Sequence, residues 1–565
     1  MPRGPGSPLP GVPLVWAPHG VSDTLDSSTA QKGAMSSLQN LIPDPTTRDL
    51  WQCRPGAVVE VAFTSPPFSS PFSSGFSSGF GLGAGFAATF ISCWKVVGTR
   101  IYGMVSTNTL PGHDVPFIFD TSTNAFITIT GVTSGNTPLS PLTSGPWVPP
   151  VMDLIGSKFI VAHSGFSGAG SNFFGVLDIT NPAAPTWTAA NTATNALPTP
   201  PQWVQNFGGR CFFLVNPPNG QPAAYMSDVL APTTITNATQ VITFGDNTPL
   251  TCAIGLPLAN QLGGIIQSLM VFKDASNIYQ VTGDFAIGNL AINTLNVATG
   301  TKSPLSVVST SKGLAFLAPD GLRVIDFNAR VSDPVGNSGD GVTVPFIFSL
   351  VPSRVCAAYN VGVYRVQVQN GSAAGNPQQQ YWFDIVRGIW NGPHTQAAYQ
   401  LAPLGSSFIV ALQGDTTATI YTSDVVQSST SVFTEQGNAL SWQWQTPMLP
   451  DTDQMAEVAM IESTIHMALL ANNPVNVSAI NQAGTVADVV QITTTATGTI
   501  WGAFTWGAAA WEGLANALYP RQLAWHYPIV FRRIGIIASG SSNANVKIGR
   551  MHLRYEVLSY LQEAS

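Results

Sequence analysis

The sequence predicts an all-β protein assembled from many short strands. Only 9% of the 565 residues are charged, 44% are hydrophobic, and the chain contains 53 glycines and 43 prolines. Long solvated helices need more charged residues than this, and abundant Gly and Pro are typical of turns between short strands. A hairpin motif, and its repetition along the chain, favour the same fold class.

The hairpin motif lies between Lys312 and Asp326, which read KGLAFLAPDGLRVID. Its two apolar runs, Leu314–Leu317 and Leu322–Ile325, are too short for helices and suit buried strands. Between them, Pro319 favours a type I turn and Gly321 can adopt a positive φ, so we expect a loop of three to four residues. One hairpin is only marginally stable alone, which indicates that similar units pack against it.

A weak repeat of this kind starts at residue 88. Each unit has an apolar run that ends in Asp, then a turn, then an aromatic residue that opens the next strand, as in Asp120 with Phe126, Asp178 with Trp187, and Asp384 with Trp390. The corresponding positions are 120, 178, 228, 279, 326, 384 and 424. We expect the Asp side chain to cap the turn through backbone N–H groups, and the aromatic residue to fill the gap between adjacent sheets.

The mean interval of about 50 residues suits four short strands per unit. We therefore predict a kelch-like β-propeller of about six or seven blades over residues 57–440. A string of β-sandwich modules is the alternative. Within this range, residues 68–86 form a Phe/Ser/Gly tract that we expect to be a mobile loop. Residues 75–79 match the G-x-S-x-G motif of hydrolases but lack the flanking strand and helix, so no nucleophile is predicted there.

Two further regions flank the predicted propeller. Residues 1–56 are interpreted as an extended N-terminal arm with one turn of amphipathic helix, formed by Ala34, Leu38 and Leu41 and ended by Pro43. Residues 441–565 are interpreted as a β-sandwich-like C-terminal domain with strands near 442–447, 475–480, 486–493, 530–537 and 546–555. The alternation of the last strand places Arg550, His552 and Arg554 on one face.

The sequence contains no recognisable catalytic motif. The seven histidines are scattered, Glu462 and His466 occur without an H-E-x-x-H pattern, and no glycine-rich phosphate loop is present. The five cysteines are far apart with no C-x-x-C, so we expect buried thiols in a reducing compartment. We predict no catalytic, cofactor-binding or metal-binding residues and no enzymatic activity. We also expect no signal peptide and no membrane span.

The charge layout is uneven. The net charge is −7, which argues against a generally basic nucleic-acid binder. Residues 388–520 contain nine carboxylates and no Lys or Arg, whereas residues 521–554 contain six cations and no carboxylate. The acidic part could line a DNA conduit and repel phosphates, or the basic strands could grip DNA or meet an acidic neighbour. An ordinary solvated surface is the other interpretation.

Two separated places resemble the tail nozzle (hub, packaged-DNA-stabilising) proteins of short-tailed bacteriophages. In that family a Gly-Val element precedes a turn of a small residue, Leu and Asn, and then Arg-Pro-Gly. The matching residues here are Gly20, Val21, Ala34, Leu38, Asn40, Arg54, Pro55 and Gly56. The family also has a Pro-x-Ser-Val strand before a hairpin, which resembles residues 303–308 followed by 313–322.

The resemblance implies a structural protein of the virion tail, made in the cytoplasm of a bacterial host. It implies a homo-oligomeric ring, commonly a hexamer, that contacts an adaptor protein below the portal and tail fibres or spikes. The ring would retain packaged DNA and conduct it, without sequence specificity, during ejection. The alternatives are another virion component such as a tail fibre, and a secreted kelch-like carbohydrate-binding or oxidase protein. The sequons at Asn237, Asn370 and Asn476 fit the secreted alternative.

Overall fold

The structure, a computed structural model, describes most of the propeller and sandwich regions. The described residues are 12–16, 35–44, 50–61, 88–107, 113–139, 149–259, 264–274, 276–285, 289–295, 299–335, 352–369, 378–412, 419–424, 433–435, 438–449, 456–468, 474–481, 483–492, 519–526, 529–542 and 546–560. The Phe/Ser/Gly tract at 68–86, the hydrolase-like motif within it, and Gly20, Val21 and Ala34 lie outside these ranges. Within them, no helix is long and apolar enough to cross a membrane.

The N-terminal part contributes five short strands. These are β1 (Val12–Trp16), β2 (Ser37–Gln39), β3 (Leu41–Pro43), β4 (Trp51–Cys53) and β5 (Ala57–Val61). The predicted helical turn is wrong at Leu38 and Leu41, which lie in strands β2 and β3. Asn40 has a φ of +54°, which reverses the chain between β2 and β3, and Leu38 pairs with Trp444 of a distant strand. Cross-strand hydrogen bonding and burial of Leu38 and Leu41 outweigh the weak local preference for helix.

The next strands form blades 1 to 3, each a four-stranded antiparallel sheet. Blade 1 contains β6 (Ala88–Val97), β7 (Arg100–Thr107), β8 (Asp114–Asp120) and β9 (Ala125–Phe126). Blade 2 contains β10 (Val151–Ile155), β11 (Lys158–Ala162), β12 (Phe174–Asp178) and β13 (Thr186–Ala190). Blade 3 contains β15 (Trp203–Phe207), β16 (Arg210–Val215), β17 (Ala223–Met226) and β19 (Val241–Thr243). The short strands β14 (Ala193–Thr194) and β18 (Thr234–Ile235) pair with each other beside it.

Blades 4 to 7 continue the series. Blade 4 contains β20 (Leu250–Ala259), β21 (Ile265–Lys273), β22 (Ile278–Asp284) and β23 (Asn289–Leu295). Blade 5 contains β24 (Val308–Thr310), β25 (Gly313–Ala318) and β26 (Gly321–Ile325). Blade 6 contains β27 (Cys356–Asn360), β28 (Val363–Gln369), β29 (Gln378–Asp384) and β30 (Ile389–His394). Blade 7 contains β31 (Ala398–Leu404), β32 (Ser407–Leu412) and β33 (Ile420–Asp424). Short 3-10 turns lie at Ser134–Asn136, Pro304–Ser306 and Pro352–Arg354.

The described residues thus form a β-propeller of seven blades, which confirms the predicted fold class. The first strand of each blade lies next to the axis, and the ring closes where β31 packs beside β6. The outer strand of blade 7 is β5, which pairs antiparallel with β33 although the two are more than 350 residues apart. The N-terminal part of the chain therefore fastens the last blade.

The seven repeat positions mark the third strand of the seven blades. Asp120, Asp178, Asp384 and Asp424 end such strands. Asp326 follows β26 directly, Asp228 lies two residues after the end of β17, and Tyr279 lies inside β22. The capping prediction is confirmed at several turns. For example, Asp178 Oδ1 accepts a 2.9 Å hydrogen bond from Thr180 N, and Asp384 Oδ1 accepts from Val386 N at 3.0 Å. Each cap satisfies donors that the turn would otherwise leave without a partner.

The aromatic residues fill the spaces between blades, as predicted. Trp187 of blade 2 is fully buried and packs with residues of blade 1, and Trp390 of blade 6 packs with residues of blade 5. Aromatic pairs also bridge neighbouring blades at centroid distances between 4.5 and 5.2 Å. These pairs are Tyr102–Phe159, Phe174–Phe213, Phe207–Phe285 and Phe272–Phe316. Each pair adds about 0.5–1.5 kcal/mol to the contact between neighbouring blades, beyond the effect of the area that it buries.

The predicted hairpin is the β25–β26 pair of blade 5. Ala318 pairs with Gly321, so only Pro319 and Asp320 form the loop, which is shorter than expected. Gly321 has the predicted positive φ, +147°, and a Cβ there would lie 2.9 Å from Pro334 Cβ. Residues 332–335 return along β26, with Ser332 N donating to Val324 O at 2.9 Å. Blade 5 is thereby completed by an irregular segment.

A polar network connects the inner strands of three blades. The Asp153 carboxylate of blade 2 is buried and accepts a 2.6 Å hydrogen bond from Lys95 Nζ of blade 1. Its other oxygen accepts from Gln205 Nε2 at 2.9 Å and from Asn206 N at 2.6 Å, both in blade 3. These bonds fix the relative positions of the three blades close to the axis.

The C-terminal strands form the predicted sandwich. They are β34 (Thr434–Glu435), β35 (Asn438–Gln445), β36 (Ala456–Ala468), β37 (Val475–Asn481), β38 (Val486–Ile492), β39 (Tyr519–Gln522), β40 (Val530–Phe531), β41 (Ile534–Ser542) and β42 (Lys547–Tyr560). One sheet contains β1, β3, β4, β36, β39, β40 and β42. The other contains β2, β35, β37, β38 and β41 and continues through β34 into blade 7. N-terminal strands therefore complete both layers.

The sandwich core lies between these two sheets. Trp442, Trp444 and Ile536 from one layer pack with Ile465 and Met551 from the other, and all five are buried. Trp525 is half-buried and donates from Nε1 to Ser463 Oγ at 2.7 Å, whereas Trp501, Trp506 and Trp511 lie outside the described residues.

Candidate functional site at the propeller–sandwich junction

A buried polar cluster lies where the N-terminal strands, blades 6 and 7 and the sandwich meet. We call it the junction cluster; it consists of Asn40, Arg54, Glu435, Gln396, Thr395, Arg365 and His394. Three of the residues that carry the nozzle resemblance, Asn40, Arg54 and Gly56, belong to it or adjoin it. The resemblance therefore points to a place where the parts of the molecule are joined.

Arg54 is the centre of the junction cluster, and its side chain has no solvent exposure. Its Nε donates to Asn40 Oδ1 at 2.9 Å, one terminal nitrogen donates to Pro55 O at 3.0 Å, and the other reaches the Glu435 carboxylate at 2.9 Å. Glu435 Oε1 also accepts from Gln396 Nε2 at 3.0 Å. A buried guanidinium is tolerated because its donors are bonded and its charge is paired.

Asn40 connects the cluster to the sandwich and to the segment between blades 6 and 7. Its Nδ2 donates to Ser441 O of β35 at 2.6 Å and to Thr395 Oγ1 at 2.9 Å, in the connection between blades 6 and 7. Its Oδ1 also accepts from Thr395 N at 3.0 Å. The positive φ of Asn40 aims the side chain in this way, and Asn tolerates that conformation better than most residues.

The backbone passes close to β34 beside the cluster. A Cβ at Gly56 would lie 2.0 Å from Thr434 O, so no larger residue fits there without a shift of the main chain. Ala57, the next residue, forms a bridge with Glu435 and begins the ladder with β33. The Arg-Pro-Gly sequence thus supplies two adjacent contacts, the buried ion pair of Arg54 with Glu435 and the close main-chain packing of Gly56 against Thr434.

Arg365 lies deeper, inside blade 6. Its guanidinium carbon is 3.6 Å from the ring centroid of Trp382 and 4.1 Å from that of Phe408. Its terminal nitrogens donate to Ser423 Oγ at 3.0 Å and to Asp424 O at 2.6 Å in blade 7. Burial lowers the pKa of Arg365 well below its usual value, and nearby Arg54 acts in the same direction. The aromatic faces offset part of this cost, since desolvated cation–π contacts reach about 2 kcal/mol.

His394 adjoins the same cluster. Its ring is buried, lies 4.5 Å from that of Trp382, and contacts Asn391 Oδ1 through Nε2 at 2.9 Å. Burial lowers the pKa of His394 well below its usual value, and the charges of Arg54 and Arg365 lower it further. The imidazole is therefore neutral at physiological pH.

The contacts of the junction cluster are those of a structural site that joins separate parts of the chain. Arg54 is paired with Glu435, Arg365 is enclosed by aromatic rings and bonded to blade 7, and the imidazole is neutral, so the arrangement holds strands together. In the part of the chain that the structure describes, no group of three or more His, Cys, Asp or Glu could hold a metal ion. The prediction of no catalytic, cofactor or metal residues stays a prediction.

The prediction of buried thiols is confirmed, because all five cysteines are buried and unbridged, whereas the reducing compartment stays a prediction. Burial raises the pKa of Cys53 to about 12 and raises that of the other four thiols further. They behave as small apolar residues of the cores.

The described carboxylates of the acidic interval do not form one acidic surface. Glu435 pairs with Arg54, Glu462 lies 3.7 Å from Arg554, and Asp488 accepts from His526 N at 2.6 Å. Asp415, Asp451, Asp453 and Glu512 lie outside the described residues.

The cationic residues of the last strand are placed as predicted. Arg550, His552 and Arg554 share the outward face of β42, while Met551 and Leu553 between them are buried in the sandwich core.

Two other features have no functional assignment. A cavity of about 330 Å³ lies between blades 5 and 6, walled by Leu322, Val324, Phe383 and Ile385, with Lys312 at its edge donating to Ile385 O at 2.9 Å. Of the sequons, Asn237 lies in an exposed turn and Asn476 in β37, and Asn370 is outside the described residues.

Sequence reasoning missed Arg365, His394 and Glu435. The signal for Arg365 was available, since an Arg inside the apolar run VYRVQVQ has to be either on an exposed face or compensated. Its partners lie on other strands and leave no local pattern.

The comparisons with known proteins give distant structural matches only. No protein family matches the chain, and no curated protein matches it. Among solved structures, the β-propeller domain of the Trilobed protease from Pyrococcus furiosus is 9% identical with a TM-score of 0.32, covering 60% of this chain and 97% of that one. The Pyrococcus horikoshii acylaminoacyl peptidase is 8% identical with a TM-score of 0.34, covering 63% and 57%. A Trypanosoma rangeli sialidase is 7% identical with a TM-score of 0.26, covering 84% and 92%.

Proposed function

We propose that this chain is the tail nozzle protein of a short-tailed bacteriophage, a structural component without bond-making chemistry. The observation that carries the proposal is the convergence of Leu38, Asn40, Arg54 and Gly56 on the junction. Leu38 is in the sandwich core, Asn40 and Arg54 are in the junction cluster, and Gly56 contacts β34. Residues that carry the nozzle resemblance thus fasten the ring to the sandwich.

The proposed role is mechanical. A nozzle has to bear the load of packaged DNA without opening, and the propeller is suited to this because β5 closes its last blade through main-chain hydrogen bonds. Copies of the chain, six in the family it resembles, would form the channel below an adaptor ring and contact fibres or spikes. DNA would pass without sequence-specific recognition.

The test is electron microscopy of purified phage particles from the host that carries this gene, combined with mass spectrometry of isolated tails. The expected result is density for a seven-bladed propeller in a ring at the distal tail. A particle preparation made without the protein should contain heads that lose their DNA. Complete absence of the protein from infectious particles would refute the proposal.

A further inference from the structure

Blade 5 has one strand fewer than its neighbours, and a cavity lies beside it. Blades 4 and 6 each have four strands, whereas blade 5 has β24, β25 and β26. The fourth place is taken by residues 332–335, where Ser332 N donates to Val324 O at 2.9 Å and Val335 N donates to Leu322 O at 2.6 Å. This short segment fills less space than a full strand, and a cavity of about 330 Å³ lies between blades 5 and 6. We call it the inter-blade cavity.

The walls of the inter-blade cavity are apolar on both sides. Leu322 and Val324 are alternate residues of β26 and line it from blade 5, and Phe383 and Ile385 line it from blade 6. All except Val324, which is half-buried, belong to the buried apolar cluster of the two blades. Phe383 also packs against Trp390, at a centroid distance of 4.9 Å. Walls of this kind favour an apolar ligand, and the ring of Phe383 favours an aromatic one.

The opening of the cavity is polar but carries no net charge. Lys312 and Arg330 are exposed lining residues, and Asp326 is a half-buried one. The charged residues that line the cavity, adjoin its lining residues in sequence or pair with one of these are four of each sign: Lys312, Arg323, Arg330, Arg387, Asp320, Asp326, Asp333 and Asp384. An ionic ligand would gain little attraction and would lose its hydration, which favours an uncharged ligand.

The same opening can hold one polar group of a ligand. Lys312 Nζ donates to Ile385 O at 2.9 Å, and an ammonium group has three donors. Asp326 Oδ1 accepts from Asn328 N at 2.8 Å and from Arg330 N at 2.9 Å, which fixes the carboxylate at the edge of the cavity. A ligand hydroxyl at this edge can accept from the ammonium group or donate to the carboxylate.

The volume of the cavity sets the size of the ligand. An apolar cavity of about 150 Å³ accommodates benzene. The inter-blade cavity, at about 330 Å³, is about twice as large and suits a body of about ten to twelve non-hydrogen atoms. Small-molecule sites in proteins begin at about 300 Å³, so the cavity is within their range.

We propose that the inter-blade cavity binds an uncharged bicyclic aromatic molecule that carries one hydrogen-bonding group. Its rings pack between Leu322 of blade 5 and Phe383 of blade 6, and its polar group lies at the opening beside Lys312 and Asp326. The bound molecule supplies part of the apolar contact that a fourth strand of blade 5 would make, so it stabilises the contact between the two blades. The site is separate from the proposed tail role, because it uses no residue of the junction cluster.

The experiment is isothermal titration calorimetry of the full purified chain with three probes at pH 7.5. They are 2-naphthol, which is uncharged and bicyclic, phenol, its smaller analogue, and 2-naphthoate, its charged analogue. We expect 2-naphthol to bind at least about tenfold more tightly than phenol, because even one methylene in an apolar pocket changes affinity by about that factor. We expect 2-naphthoate to bind more weakly than 2-naphthol, because its carboxylate loses hydration. Saturating 2-naphthol should raise the midpoint of thermal unfolding.

Variants that fill the cavity test where the probe binds. Val324→Phe adds a ring from blade 5, and Val331→Phe adds one from the segment that follows β26. Each should weaken 2-naphthol binding at least about tenfold, since the added ring occupies volume that the ligand needs. Val308→Phe is the matched control, because Val308 is a half-buried valine of the same apolar cluster that does not line the cavity, and it should bind like the wild type. Far-UV circular dichroism of each variant confirms that it is folded.

Several results would overturn the inference. Undetectable binding of 2-naphthol by the wild type would show that the cavity is not a ligand site. Equal affinities for phenol and 2-naphthol would refute the proposed size, and tighter binding of 2-naphthoate would refute the proposed charge. Unchanged binding by both folded filling variants, or an equal loss in Val308→Phe, would show that the probe binds elsewhere. None of these results bears on the tail role, which is tested on phage particles.

Discussion

The junction cluster makes a direct prediction for stability. Replacing Arg54 with Met removes the guanidinium and keeps much of the apolar volume. Three hydrogen bonds are lost, and Glu435, whose side chain is only 16% exposed, loses its countercharge. Breaking a buried ion pair by removing one partner costs about 3–5 kcal/mol. Because Glu435 retains some solvent and its bond to Gln396, we expect a loss near the lower limit, about 3 kcal/mol.

A double-mutant cycle isolates the ion pair from the other contacts. Glu435→Gln keeps an acceptor for Arg54 but leaves a buried cation without a countercharge, so it should also destabilise. The Arg54→Met/Glu435→Gln double variant should lose less stability than the two single losses added together. Coupling of residues in one network is typically 0.5–3 kcal/mol, and we expect a value above 1 kcal/mol here.

The assay is urea unfolding followed by tryptophan fluorescence and far-UV circular dichroism. Both probes are needed because the propeller and the sandwich could unfold separately. Lys158→Met is the matched control, since Lys158 and Asp178 form a 3.5 Å surface pair with exposures of 38% and 31%. Such pairs contribute at most about 1 kcal/mol. A loss for Arg54→Met no larger than that of the control, or zero coupling, would refute the argument.

Three other predictions follow from the same contacts. Gly56→Ala should lower the free energy of unfolding in urea by about 1–3 kcal/mol, because its Cβ would overlap Thr434 O. Gly135→Ala, whose Cβ would have its nearest contact at 4.0 Å, should leave that free energy unchanged. His394 has a folded-state pKa well below its unfolded value of 6.5, so the unfolded state takes up the proton first. Stability should be full above about pH 6.5 and fall by about 1.4 kcal/mol per pH unit below it, and His394→Gln should remove this contribution in unfolding curves measured from pH 7.5 to 5. The five buried thiols should not react with a thiol reagent in the native protein, and all five should react in urea; rapid native labelling would contradict their burial.

Local patterns predicted the propeller because each blade repeats the same local chemistry. The Asp caps and the tryptophans of the outer strands act within a few residues or between neighbouring blades, so their spacing was visible along the chain. The helical turn near Leu38 failed because its hydrogen bonds go to β35, about 400 residues away. A local pattern cannot reveal a partner at that separation.

The same limitation explains what was missed at the junction. Arg54 was singled out by the resemblance, but its partner Glu435 is 381 residues away, and Arg365 finds its partners in another blade. From the sequence alone, such side chains can be noticed only because a charged residue interrupts an otherwise apolar segment. Their partners become apparent once the ring has brought the two ends of the chain together.

Ring closure and attachment of the sandwich depend on one short stretch of chain. Cys53 is in the sandwich core and Ala57 is in blade 7, and the four peptide units between them span at most about 14 Å. Arg54 is held by its ion pair and Gly56 packs against β34, so residues 53–57 cannot shift without breaking these contacts. A force that pulls the sandwich from the ring is therefore transmitted directly to the β5–β33 ladder that closes the propeller. Opening the ring would require displacement of the sandwich as well, so the two parts should resist load as one body.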